Sequence, residues 1–222
     1  MKQYLNFVKL DLITIKPYVT IKNFIIFGLS AAFVIYSTKT STTALGILMG
    51  FGTLYITYPF AVGEKNGIDS LYIFLGIKRD TVVLGRYLYA LFIDCAFCLF
   101  GFVLTLIISL IMSFPFSIIE NLIVMIALLL FFSFSQFIQI PIYFKNGYTK
   151  AKLSAYIPFL MIPLVVVILG QLYPQFTQAF DSIISWISIN PVLVIVLIII
   201  LWFIFMYISI RLSQKFYQKR EF

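Results

Sequence analysis

The sequence predicts an all-α integral membrane protein that crosses the bilayer six times with both ends on the same side. Three observations predict it. The chain is 62% hydrophobic and only 11% charged over 222 residues, where a soluble domain carries about 25% charged residues. Six apolar stretches each reach, or nearly reach, the ~20 residues that span a bilayer as a helix. Threading those stretches in order puts fifteen of the sixteen Lys and Arg residues on one side.

The stretches lie near Thr20–Tyr36, Ala44–Val62, Tyr87–Ser113, Asn121–Tyr143, Ala155–Tyr173 and Pro191–Ile210. Before the first stand Lys2, Lys9, Lys16 and Lys22. Between the second and third stand Lys65, Lys78, Arg79 and Arg86. Lys145, Lys150 and Lys152 separate the fourth from the fifth, and Arg211, Lys215, Lys219 and Arg220 follow the sixth. The remaining loops hold only Lys39. Positive charge stays in the cytoplasm, so both termini and the 2–3 and 4–5 loops are expected inside. A single membrane domain, residues 1–222, is expected, with no room for a soluble one.

Residues 1–20 read as a helix lying in the membrane surface. Leu5, Val8, Leu12 and Ile15 share one stripe, with Lys2, Lys9 and Lys16 beside it. Lysine stems lie along apolar surface while their ammonium groups reach headgroups. Pro17 is expected to end this helix. The segment is read as retained and not as a cleaved leader, because the topology needs the span after it. In the second span, Gly46 and Gly50 have the spacing that brings helix backbones close in lipid.

The 2–3 loop, residues 63–81, is the most informative stretch. Polar ends flank an apolar helix expected at about Asp69 to Leu75. Asp69 or Ser70 is placed to cap its start, Gly76 to close it in a left-handed turn, and Asp80 or Thr81 to cap the third span. A mere connection does not need an exposed Leu-Tyr-Ile-Phe-Leu helix, so this surface must meet lipid or protein. Pro158 and Pro163 are expected to break the fifth span. Residues 171–190 carry no Lys or Arg and read as a hairpin-like outer element, with Ile183, Ile184 and Ile187 on one helical face beside Trp186.

The net charge of +8 is distributed at span ends, which fits anionic headgroups and not nucleic acid. No nucleic-acid reader motif is present. The absence of histidine removes any His-ligated metal site. Cys95 and Cys98 lie inside the third span without a basic neighbour within a turn, and read as small apolar residues. Asp94 is the ionisable residue within a span. It is expected to be neutral or bonded to Gln136 or Gln139 of the fourth span, or else to serve as a proton or substrate site. No paired catalytic groups are seen, so an intramembrane enzyme is not expected.

With its in-plane first helix, six spans and 2–3 helix, the chain resembles the small ABC-2 type permeases, the membrane subunits of ATP-binding-cassette exporters. The most specific likenesses are Glu64-Lys65-Asn66-Gly67-x-Asp69 and Thr81-Val82-Val83-Leu84-Gly85-Arg86-Tyr87-Leu88. Within the family it is most similar to permeases that export phenol-soluble modulins, amphipathic cytolytic peptides. It departs at Leu75-Gly76-Ile77-Lys78-Arg79, where members often have Leu-Pro-Ile/Val-Ser-Arg.

The resemblance implies that the 2–3 helix is a cytoplasmic coupling helix seated on a separate ATPase. Glu64, Lys65, Asn66, Gly67, Asp69, Leu71, Tyr72, Phe74, Gly76 and Arg79 would carry that contact, with Leu71, Tyr72 and Phe74 as apolar anchors. The chain has no G-x-x-x-x-G-K-S/T phosphate loop, so no cofactor is expected here, and ATP and Mg belong to the partner. A second permease is expected, identical or not. The cargo implied is an amphipathic peptide, an antimicrobial peptide or a lipid, and the location a bacterial cytoplasmic membrane. Two other readings stay open: an ion-coupled secondary transporter using Asp94, and an accessory or immunity membrane protein.

Overall fold

A computed structural model describes residues 2–173, 177, 181, 182, 185, 186 and 189–220, and every regular element among them is helical. The order is α1 (Lys2–Ile15), a 3-10 turn (Lys16–Tyr18), α2 (Ile21–Thr38), α3 (Thr42–Lys65), α4 (Ile68–Phe74), α5 (Arg79–Ile111), α6 (Ile118–Asn146), α7 (Tyr148–Ala151), a second 3-10 turn (Lys152–Tyr156), α8 (Ile157–Leu172) and α9 (Pro191–Gln218). Five of these, α2, α3, α5, α6 and α9, are long and apolar enough to cross a membrane. The fifth expected span is α8, whose 16 residues make a helix of about 24 Å, short of the ~30 Å of hydrocarbon. Position 158 lies in its first turn, and the helix runs on through position 163 instead of breaking there. The hairpin-like element expected at 171–190, with its Ile183, Ile184 and Ile187 face, falls largely outside the described residues.

α1 forms as expected and ends before Pro17, but its buried stripe differs from the expected one. Phe7, Val8, Asp11 and Ile15 are buried, whereas Leu5 is half exposed. The reason lies on α5. A methyl group at Gly85 would fall onto the Phe7 ring, so the bare backbone there is the socket that Phe7 fills and that sets the rotation of α1.

α3 and α5 pack through small residues on both sides. A Cβ at Gly52 would lie 2.9 Å from the Phe97 ring, and one at Gly101 3.4 Å from Leu45. The Gly46–Gly50 pair serves two neighbours: Gly46 faces Leu128 of α6, and Gly50 leaves the space that Phe159 of α8 enters.

α3 and α6 each carry a described internal proline, Pro59 and Pro141. Each lacks the N–H that would bond the carbonyl four residues earlier. Neighbouring side chains replace the missing donors. The Tyr89 hydroxyl donates to the Tyr55 carbonyl at 2.9 Å, and the Ser209 hydroxyl to the Phe137 carbonyl at 2.5 Å. Inside lipid no water would do this. Tyr89→Phe keeps the ring and removes the donor, and is expected to cost about 1–3 kcal/mol, measured as a lower melting temperature in detergent. An unchanged melting temperature would show that the Tyr55 carbonyl has another partner.

At the end of the bundle away from α1, Ser41 and Asn121 bond each other at 3.0 Å and tie α2–α3 to α6. Lys39, the lone cation of that end, sits over the rings of Tyr36 and Phe114 at 4.2 and 4.9 Å. The other end carries the remaining described cations, and there α1, α4, the α6–α7 turn and the end of α9 meet.

Candidate functional site

The site is a short surface helix held from behind by a buried polar node. α4 starts at Ile68 after Gly67, which has φ +63°, and no side chain caps it. Asp69 therefore is not a cap. Its carboxylate turns inward to Tyr217 and Arg220 of the carboxy-terminal segment: the Tyr217 hydroxyl donates to Oδ1 at 3.4 Å, and Arg220 Nη1 lies 3.8 Å from Oδ2. Nor do Asp80 and Thr81 cap α5; its flanking residue Lys78 is extended and makes no side-chain cap bond.

α4 ends as expected. Gly76 has φ +71°, its N–H reaches the Ile73 carbonyl at 2.9 Å, and the Ile77 N–H reaches the Tyr72 carbonyl at 2.9 Å. This is the paired closure that favours glycine at the left-handed position. A proline cannot adopt that φ, so the departure from the Leu-Pro pattern goes with a different turn.

The two faces of α4 are unlike. Tyr72, expected among the outward anchors, is buried and packs edge-on against Phe7 of α1 with ring centroids 5.0 Å apart. Phe74 is 88% exposed and Leu75 62%, and Leu71 is half exposed. The register decides this: with Tyr72 turned inward, residues 71, 74 and 75 share the opposite face. Lys65, Asn66 and Gly67 are exposed at one end of the helix.

Glu64 and Arg79 face inward. Glu64 Oε2 accepts the backbone N–H of Tyr148 and, at 3.2 Å, that of Thr149. Gly147 makes this possible twice over: its φ is +76°, and a Cβ there would lie 2.8 Å from the Glu64 carboxylate. Arg79 Nη1 donates to the carbonyls of Tyr217, at 3.1 Å, and of Gln218. So the last turn of α3, which leads into α4, holds α7, and the first residue of α5, which follows it, holds the end of α9.

Behind α4 lies Arg86, which in the sequence stood as a loop cation and as part of the Gly85-Arg86-Tyr87 likeness, with no partner assigned to it. It is almost wholly buried, 3.2 Å from Oδ1 of Asp11, which is equally buried. The guanidinium stacks over Phe60 at 4.8 Å and Phe7 at 5.8 Å. The signal for this pair was present: Asp11 is the one acid of an otherwise lysine-flanked apolar helix. Next to it, the Tyr87 hydroxyl bonds Ser213 at 2.9 Å and Ser209 at 2.5 Å, joining α5 to α9. Each residue of Gly85-Arg86-Tyr87 thus has its own duty: socket, charge partner, tie.

Burial pushes the Asp11 carboxyl up to about 6, against the pull of Arg86 and with a smaller push from Asp69. The folded state then holds more protons than the unfolded one between roughly pH 4 and 6, so stability falls as pH rises through that window. Protection of α1 from hydrogen exchange is expected to be greater at pH 5 than at pH 7.5. Asp11→Asn is expected to flatten that difference; a difference that survives the substitution would place the titrating group elsewhere.

Of the intramembrane polar residues, the structure brings Asp94 and Gln136 together: Gln136 Nε2 donates to Oδ1 at 2.6 Å. Gln139 is fully buried, and its amide makes no hydrogen bond among the described residues. Cys98 is buried and Cys95 exposed, both as free thiols. Among the described residues no cluster of three or more His, Cys, Asp and Glu could hold a metal ion.

No curated protein and no solved structure matches the chain. Residues 6–218 match the family described as ABC-2 family transporter protein. The match runs from Phe7 and Asp11 through Tyr217 and ends before Arg220. The chain therefore belongs to the ABC-2 family of transporter proteins.

Proposed function

We propose that this chain is the permease subunit of an ATP-driven exporter and that α4 is its coupling helix. The cationic end would face the cytoplasm, with α8 completing six crossings. Leu71, Phe74 and Leu75 would enter a groove on a separate ATPase, with Lys65 and Asn66 at the rim. Glu64, Asp69 and Arg79 then act as positioning residues, since they grip α7 and the end of α9 and do not face outward. A push on α4 would be passed to α5 and α9 as one body. A second permease would complete the route, and the cargo class that fits best is an amphipathic or hydrophobic peptide or lipid.

The observation that carries this reading is the two-faced α4: its outer face is apolar and exposed, and its inner face is tied to α1 and to the end of α9. A loop that only joined α3 to α5 would need neither.

Export in cells carrying an ATPase with an inactivated phosphate loop tests the reading. Export that stops there, and continues when the proton gradient is collapsed, supports it. Asp94→Asn keeps an oxygen for the Gln136 amide, so export is expected within about threefold of wild type. Export that survives without ATPase activity and vanishes with the gradient or with Asp94→Asn would make the chain an ion-coupled transporter.

A further inference from the structure

We infer that the apolar groove between α1, α2 and α5 is a binding site for one acyl chain of an anionic phospholipid, with the headgroup phosphate held by Lys9 and Lys16. The groove encloses about 230 Å³. Leu12 and Ile15 of α1, Val19 of the turn, Phe24 of α2, and Phe97 and Phe100 of α5 form its walls. The rings make a continuous surface: Phe24 to Phe100 is 5.4 Å, Phe97 to Phe100 6.3 Å, and Tyr55 to Phe97 5.3 Å between centroids.

Tyr55 is the one wall residue with a polar side-chain group, and its hydroxyl is engaged. It accepts from Asn23 at 2.8 Å and donates to the Tyr18 carbonyl at 3.3 Å. Nothing in the groove is therefore left to recognise a polar ligand. On α5 the lining runs from Ile93 to Phe100, a length of ~10 Å, and it runs along the bundle axis as an acyl chain does.

The charges choose the lipid. Lys9 stands three residues before Leu12 on α1, which puts the two on one side of the helix, and Lys16 follows Ile15 at the start of the 3-10 turn; Leu12 and Ile15 line the groove. Both lysines are exposed. Two exposed lysines next to residues that line an apolar slot suit a phosphodiester without a choline or amine to offset it. The inference rests on the chain lying in a bilayer and is independent of the ATPase reading.

The test is native mass spectrometry of the full chain, with whatever subunits co-purify, released from nanodiscs of equal dioleoyl phosphatidylglycerol and dioleoyl phosphatidylcholine. The wild type is expected to retain one phosphatidylglycerol in preference to phosphatidylcholine. The double substitution Lys9→Gln/Lys16→Gln should lower that preference about tenfold. Ala96→Phe fills the slot from an exposed wall position and should abolish retention of both lipids while the melting temperature holds. If it fails to fold, Ala96→Leu serves in its place and should weaken retention. Equal retention of the two lipids by the wild type, or retained lipid unaffected by filling the slot, overturns the inference. So does a result in which Ala96→Phe blocks an added amphipathic helical peptide and spares the lipid, which would make the groove a cargo port.

Discussion

Replacing Arg86 with alanine is expected to remove the folded protein from the membrane, because it costs about 3–5 kcal/mol of a stability that totals only ~5–15 kcal/mol. The guanidinium and the Asp11 carboxylate are both almost fully buried, 3.2 Å apart. Breaking such a pair leaves an uncompensated charge in a place water does not reach, and that penalty exceeds what the intact pair contributes. It also empties the space beneath the Phe60 and Phe7 rings. Arg86→Lys keeps a charge but loses the flat cation over the rings, so it should fall between alanine and wild type. The double substitution Asp11→Asn/Arg86→Met removes both charges and keeps volume; it is expected to recover much of the loss. The measurement is the amount of monodisperse protein extracted and its melting temperature. A double variant as unstable as Arg86→Ala alone would show that the pair is not the cause.

The second large effect lies on the other face of the same helix. Phe74→Glu is expected to leave folding untouched, since Phe74 is 88% exposed, and to abolish binding of the ATPase. Truncating a buried interface anchor typically costs at least ~2 kcal/mol, or roughly thirtyfold in affinity, and a charge in an apolar pocket costs more. Tyr72, two residues earlier and on the buried face, makes the control. Tyr72→Ala opens a hole against Phe7 and is expected to cost about 3–5 kcal/mol of stability. The pair separates the two faces: one variant loses the partner with the protein intact, the other loses the protein.

Much of this was legible in the chain, and the parts that were not share a cause. Apolar length gave the five helices that are long enough to cross a membrane, and single local residues gave the end of α1 at Pro17 and the left-handed Gly76. These are local effects, set by residues within one turn. The rotation of α1 was not legible, because Phe7 is inward only by virtue of Gly85, far away in sequence. Asp69 read as a cap and, with Glu64, as part of a contact with the ATPase; their ties to the end of α9 and to the α6–α7 turn depend on segments far away in sequence. The donors beneath Pro59 and Pro141 were hidden for the same reason: the prolines announce an orphaned carbonyl, but not which helix will satisfy it. α8 shows the opposite limit: the apolar stretch there is longer than the 16-residue helix that forms within it.

The most direct measurement is co-purification in a gentle detergent, with the retained proteins identified and counted by mass spectrometry, for wild type and for Phe74→Glu. The account predicts an ATPase with a phosphate loop at near-equal amount with the wild type, and its loss from Phe74→Glu while the permease stays folded. An ATPase retained undiminished by Phe74→Glu would contradict the docking face, and a wild-type chain that brings down no ATPase would contradict the account itself.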